Sequence, residues 1–162
     1  MELFLTEVIH LLAGLIVGSL LYYKYRQRRL FFLCLAVTIF IDLDHLIDYF
    51  LAVNFSRFDL IEFLDTNFVI KANKIYVLFH GWEFVFILLF LAGVIKKYRP
   101  VLLTIGLAIF GHLLVDQFTN GTWIFGYSLI YRLINNFSYN AFIGLWKKQK
   151  QPLSAWGWSA AL

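Results

Sequence analysis

Hydrophobic residues fall along this chain in blocks of membrane length, separated by short polar or basic segments. A bilayer core requires roughly 20 consecutive apolar residues of a helix. Runs of that kind cover about 3–23, 29–53, 75–96 and 100–118. A fifth stretch, 123–146, has the length but carries Arg132, Asn135, Asn136 and Asn140. It reads either as a span facing the bundle interior or as a helix lying along the interface, and the span is preferred. The pattern therefore predicts an all-α, polytopic transmembrane bundle of four to five helices. It forms a single domain over 1–146, followed by a tail at 147–162, with no internal repeat. The connection 54–74 mixes Arg57, Asp59, Glu62, Asp65, Lys71 and Lys74 with Phe55, Phe58, Ile61, Leu64 and Phe68. The near-helical spacing of the apolar members fits an amphipathic helix on the membrane surface, and a loop with aromatic anchors fits equally well.

Composition excludes an ordinary soluble domain. The chain is 61% hydrophobic and 20% aromatic, with a mean hydropathy of +0.74, against roughly half apolar in soluble proteins. The net charge of +4 does not indicate a nucleic-acid partner, because the basic residues sit in short clusters between apolar runs. Those clusters give topology instead. Lys24 to Arg29, Lys96 to Arg99 and Lys147 to Lys150 share one side if the chain crosses five times. The positive-inside rule makes that side cytoplasmic, with the N-terminus and the 54–74 connection outside and the tail inside. The first run lacks a basic leading region and a small-residue cleavage site, so it reads as a retained helix. A single cysteine, Cys34, provides no disulfide framework. Nothing in the sequence signals an oligomeric state.

The informative residues are the charges inside the apolar blocks. Six of the ten acidic residues and all four histidines lie in the four strong spans, with no Lys or Arg beside them. They are Glu7 and His10; Asp42, Asp44, His45 and Asp48; His80 and Glu83; and His112 and Asp116. At about 2.5 kcal/mol or more per mid-membrane acid, six unpaired acids would cost on the order of 15 kcal/mol. They need a neutralising partner. Counted from the cytoplasmic ends at ~1.5 Å per residue, all the groups except Glu7 fall between about 16 and 27 Å, in the outer half. Glu7/His10 and His80/Glu83 are i,i+3 pairs, while Asp44/Asp48 and His112/Asp116 are i,i+4 pairs, so each pair shares a face. Glu7 is close enough to its helix start for an interfacial place to explain it, and Asp42 falls at the rim of its helix's polar arc.

Imidazoles and carboxylates converging in an apolar bundle suit Zn²⁺, Mn²⁺ or Fe²⁺. His10, Asp42, Asp44, His45, His80, His112 and Asp116 are the candidate metal ligands, for one or two divalent ions with Zn or Mn preferred. Asp48 and Glu83 are left as candidate catalytic carboxylates. A proton relay of protonated acids and histidines is the alternative for the whole set.

The run Ile41-Asp42-Leu43-Asp44-His45, the segment Gly111-His112 through Asp116 to Gly121, and His10 with the small apolar stretch after it resemble the bacterial membrane-bound metal-dependent hydrolases. That family has a PDxDH-type motif, a central histidine motif and a late GxxxHxxxDxxT segment, and the resemblance covers most of residues 10–121. Two departures stand out. Ile41 replaces the proline, and the central motif is reduced to Phe79-His80-Gly81-Trp82-Glu83, with one histidine where the family has two. The resemblance implies metal ligation by Asp42, Asp44, His45, His80, His112 and Asp116, in a prokaryotic cytoplasmic membrane.

The expected function is a metal-dependent hydrolase that cleaves a phosphoester of a membrane lipid or lipid-linked substrate at the outer leaflet. Asp48 or Glu83 would serve as general base. Phosphoester is preferred because no serine or cysteine nucleophile motif is visible. A divalent-metal or proton transporter uses the same ligands but needs polar groups in the inner halves of the helices, which are nearly without them. A noncatalytic protein with a structural metal is the third reading. No HExxH, phosphate loop or nucleotide fingerprint is present.

Overall fold

The structure, a computed structural model, describes residues 2–144. Among them the chain is all-helical, and three helical stretches are long and apolar enough to cross a membrane: Leu5–Tyr25, Arg28–Ala52 and Lys96–Thr119. Helix α1 (Glu2–Tyr25) turns through Arg26 and Gln27 into α2 (Arg28–Phe40). One 3₁₀ turn, Ile41–Leu43, then leads into α3 (Asp44–Ala52), so the second apolar block changes winding at Asp42. The short helices α4 (Leu60–Asp65) and α5 (Asn67–Ala72) follow, then α6 (Trp82–Val94), a 3₁₀ turn at Lys96–Tyr98, and α7 (Arg99–Thr119). A second 3₁₀ turn, Ile124–Tyr127, precedes α8 (Leu129–Ile134) and α9 (Tyr139–Ile143).

Helices α1, α2 and α7 pack mutually, and α6 packs along α7. The α1/α2 contact depends on two small residues one turn apart. A Cβ on Gly14 would lie 2.8 Å from Thr38 Oγ1, and one on Gly18 would lie 3.1 Å from the Phe31 ring. Cys34 Sγ donates to the Gly14 carbonyl at 3.5 Å. This is the close backbone approach that a small-xxx-small pattern permits in apolar surroundings. The outward faces keep large apolar side chains exposed, such as Ile16, Leu20, Phe32, Phe86 and Phe90.

Two expected helices differ. The helix predicted over 75–96 begins only at Trp82, and residues 75–81 are irregular. Their apolar side chains could have continued a helix, but their backbone finds other partners. Asp48 accepts the Tyr76 N–H at 2.9 Å and the Val77 N–H at 3.2 Å. Asp44 accepts the Phe79 N–H at 2.8 Å. Arg132 donates to the carbonyls of Tyr76, Val77 and His80 at 2.6, 2.8 and 2.5 Å. Irregular backbone is tolerated in apolar surroundings only when its polar groups are satisfied in this way.

The continuous span predicted over 123–146 is also absent among the described residues. Positive φ at Asn136 and Phe137 breaks it. Its backbone pairs with the irregular segment, Ile75 N–H to Phe137 carbonyl at 2.9 Å and Tyr139 N–H to Asn73 carbonyl at 3.2 Å. Trp123 Nε1 reaches the Ala141 carbonyl at 3.1 Å. Residues 120–144 thus fold back over the end where α7 finishes, and Tyr127, Phe142 and Ile143 join the core there with Ile75, Val77 and Leu113. The 147–162 tail, including the Lys147–Lys150 cluster, lies outside the described residues. In the 54–74 connection, α4 is capped by Asp59, which accepts from the Ile61 and Glu62 N–H groups. Of the five apolar residues noted there, only Phe68 is buried, edge-on to Tyr49; Phe55, Phe58, Ile61 and Leu64 are clearly exposed or nearly so.

Arg132 is 1% exposed and serves three carbonyls of the irregular segment besides that of Ser128 at 3.4 Å. Burial pulls its guanidinium down to about 10, with Asp44 and Asp48 opposing that shift, so it stays charged at neutral pH. Arg132→Leu strands those carbonyls, and a loss of about 3 kcal/mol or more is expected. Thermal unfolding in detergent should show it, with Arg132→Lys intermediate.

Candidate metal centre

Three long helices and the irregular segment bring the ionisable residues to one level. Helix α1 supplies His10, the 3₁₀ turn supplies Asp42, and the start of α3 supplies Asp44 and His45. His80 comes from the segment before α6, and α7 supplies His112 and Asp116 one turn apart. From the basic ends at Tyr25, Arg28 and Arg99, His10, Asp42 and His112 are each about 20 Å along their helices at ~1.5 Å per residue.

Each central imidazole is held by an acceptor on its far side. His112 Nδ1 lies 3.1 Å from the Thr38 carbonyl, which can only accept, so Nδ1 carries the hydrogen. His80 Nδ1 lies 3.0 Å from Asp44 Oδ2, the same oxygen that accepts the Phe79 N–H. Both rings therefore turn an Nε2 lone pair inward, the orientation that carbonyl and carboxylate partners give to metal-ligating histidines.

Four inward atoms converge: His80 Nε2, His112 Nε2, Asp42 Oδ1 and Asp116 Oδ2. The two nitrogens are 3.2 Å apart. Asp42 Oδ1 is 3.1 Å from His80 Nε2 and 3.3 Å from His112 Nε2. Asp116 Oδ2 is 3.6 and 3.5 Å from the same two atoms. A tetrahedral ion with bonds near 2.0–2.1 Å sets ligand–ligand edges of about 3.3–3.4 Å. All four atoms are acceptors, and two facing lone pairs cannot hydrogen-bond to each other. A divalent cation satisfies all four at once, so the residues fit a metal.

The other candidates surround this cage. The His10 ring stacks on His112 with centroids 3.9 Å apart. Its Nε2 is 3.3 Å from Asp116 Oδ1. His45 Nε2 is 3.8 Å from Asp42 Oδ1 on the more open side. Donor atoms within 4.8 Å of one another also group as His10, His112 and Asp116; as Asp42, His45 and His80; and as Glu7, His10 and Asp42. Asp44 supports His80 and is not itself among these groups. The buried atoms His10 Nδ1, Asp42 Oδ2 and Asp44 Oδ1 have no hydrogen-bond partner.

Asp48 and Glu83, expected as spare carboxylates, are engaged elsewhere. Asp48 holds the backbone at Tyr76 and Val77. Glu83 accepts from Ser128 Oγ at 2.5 Å, the Leu129 N–H at 2.9 Å and the Ile130 N–H at 3.1 Å, closing the start of α8. Their i,i+4 and i,i+3 spacings placed them on the right faces but could not show which backbone they would meet. The residue that sequence reasoning missed is Arg132. Its only signal was one cation in an apolar stretch containing no acid.

Asp48→Asn and Glu83→Gln should destabilise the protein by about 0.5–1.5 kcal/mol for each weakened bond, read as a lower thermal midpoint. Metal content of the purified variants, read by elemental analysis, should equal that of the wild type. Asp42→Asn and His112→Gln should lose metal while staying folded. Metal loss in the Asp48 or Glu83 variant would return that residue to the centre.

No family model, no curated protein and no solved structure matches the chain, so the reading of this centre rests on its own geometry.

Proposed function

We propose that the protein is a membrane-embedded, metal-dependent hydrolase acting on a phosphoester of a lipid or lipid-linked substrate at the extracytoplasmic leaflet. The observation that carries the reading is the convergence of His80 Nε2, His112 Nε2, Asp42 Oδ1 and Asp116 Oδ2, with edges of 3.1–3.6 Å. Mixed imidazole and carboxylate donors suit Zn²⁺ or Mn²⁺. Such a cation supplies Lewis-acid polarisation of a phosphoryl oxygen and acidifies water near neutral pH. Thr38 and Asp44 fix the two imidazoles, and Arg132 fixes the backbone that carries His80. The resemblance to bacterial membrane-bound hydrolases favours the same class.

The basic turns at Lys24 to Arg29 and Lys96 to Arg99 both lie at the end of the bundle away from the centre. The positive-inside rule makes that end cytoplasmic, in a prokaryotic inner membrane by the family resemblance, with the N-terminus and the centre outside. Residues 75–94, irregular and then helical, make a fourth crossing in this arrangement. Asp42 and His45 are partly exposed and Glu7 is exposed, so a headgroup can approach the centre between the outer ends of α1 and α3. Toward the basic end of α7, Thr104 is polar but gives its hydroxyl to the Pro100 carbonyl at 2.7 Å, which favours hydrolysis over passage.

Phosphate release from phospholipid or lipid-diphosphate substrates in mixed micelles with Zn²⁺ or Mn²⁺ tests the proposal. Chelation should abolish release and re-addition of metal should restore it. His112→Gln and Asp42→Asn should lower kcat/KM by at least about 100-fold, and Asp44→Asn should weaken metal affinity by about 10–100-fold. Activity that survives both ligand substitutions, or no bound metal in the wild type, would overturn it and favour a proton relay.

A further inference from the structure

We infer that a second divalent cation binds beside the four-atom cage, held by Glu7, His10 and Asp42, and that this second position faces the outside. The inference rests on the reading of the cage as a metal site and adds a position to it.

Glu7 and His10 are one turn apart on α1 and share a face. The change of winding at Ile41–Leu43 brings Asp42 toward them, so that one donor atom of each lies within 4.8 Å of the others. Two of these residues also carry buried atoms without a partner. Asp42 gives Oδ1 to the cage, while Oδ2 is buried with no hydrogen-bond partner. His10 is 4% exposed, and its Nδ1 is likewise buried without a partner. The other ring nitrogen, Nε2, lies 3.3 Å from the acceptor Asp116 Oδ1, which leaves Nδ1 as the ring atom without a partner.

Asp116 differs from Asp42 in that both of its oxygens have neighbours, Oδ1 accepting from Asn120 at 3.2 Å. Its Oδ2 belongs to the cage and its Oδ1 faces His10 Nε2 at 3.3 Å. Asp42, with one oxygen in the cage and the other unpartnered, is the carboxylate that would serve both positions. Carboxylate-bridged pairs built from facing helices are an established solution in helical bundles. The new position is richer in carboxylate than the cage, which suits a harder cation such as Mn²⁺ or Mg²⁺. Glu7 is its exposed member, so coordination sites on that side remain open to water or a phosphoryl oxygen. Paired ions in such an arrangement stabilise both the attacking and the leaving oxygen of a displacement. That gives a place in the chemistry to a carboxylate, Glu7, whose position near its helix start suggested an interfacial role.

The test is manganese stoichiometry by elemental analysis, with electron paramagnetic resonance on the same full-length samples in detergent. Wild type should bind two equivalents and show a spin-coupled pair. Glu7→Gln, a single-atom change at an exposed side chain, should bind one equivalent and show the six-line spectrum of isolated Mn²⁺, and His10→Gln should behave the same way. One equivalent in both wild type and Glu7→Gln would overturn the second position and leave the cage intact. Two equivalents retained in Glu7→Gln would overturn the assignment of Glu7. No manganese or zinc bound by wild type would overturn the cage itself and the second position with it.

Discussion

The constraint on which this structure turns is electrostatic. Four electron-rich atoms from three parts of the chain meet within 3.1–3.6 Å in a buried space. Two of them are imidazole nitrogens whose hydrogens are committed to Thr38 and Asp44 on the far side. With no cation the cluster would have to take up protons or open. With a cation, each lone pair has a partner. Much of the surrounding architecture can be read as a means of holding that convergence. His112 is fixed by a main-chain carbonyl, His80 by a buried acid, and Asp116 also accepts from Asn120 at 3.2 Å.

The least regular part of the chain follows from the same requirement. His80 reaches the cage from residues 75–81, which give up helical hydrogen bonds to do so. The exchange is local and nearly complete: Asp48 and Asp44 accept from the amide hydrogens, and Arg132 donates to the carbonyls. Glu83 then ties the start of α6 to the start of α8, the helix that carries Arg132. Acids that looked available for catalysis are thereby used to stabilise an unusual backbone. A buried Arg with four carbonyl partners also sets a positive charge beside the carboxylates of Asp44 and Asp48, which act on it electrostatically.

Much of this was legible in the sequence. The apolar blocks gave three of the long helices within a few residues, because length and hydropathy decide such elements. The common depth of His10, Asp42, His112 and Asp116 followed from rise per residue alone, whereas His80 reaches that level from a segment that is not helical. The breaks were not legible, and the reason is physical. Ile75 to Phe79 is an apolar run whose periodicity is compatible with helix, and what makes it irregular is Asp44, Asp48 and Arg132, all far away in the chain. For the same reason, spacing showed the face on which Asp48 and Glu83 lie but not their partners. Glu7 was undervalued because a straight second helix leaves Asp42 at the rim, whereas the 3₁₀ turn at Ile41–Leu43 brings it to His10 and Glu7.

The two halves of the bundle are held by different forces. Toward the basic end, α1 and α2 meet through Gly14 and Gly18 against Thr38, Phe31 and Cys34, a contact of shape and dispersion with one weak sulfur bond. Toward the other end, the apolar core around Leu113 and Tyr127 is joined by ion pairs, side-chain bonds to backbone and atoms left for a cation. Dispersion varies smoothly with small displacements, whereas charge-assisted bonds in a low-dielectric setting depend steeply on distance and angle. Helix packing fixes where α1, α2 and α7 present their ligands. The polar half holds the remaining ligand on a segment secured by side chains instead of helical bonds. A centre built this way has one wall set by packing and one set by hydrogen bonds, and the second tolerates the smaller displacement.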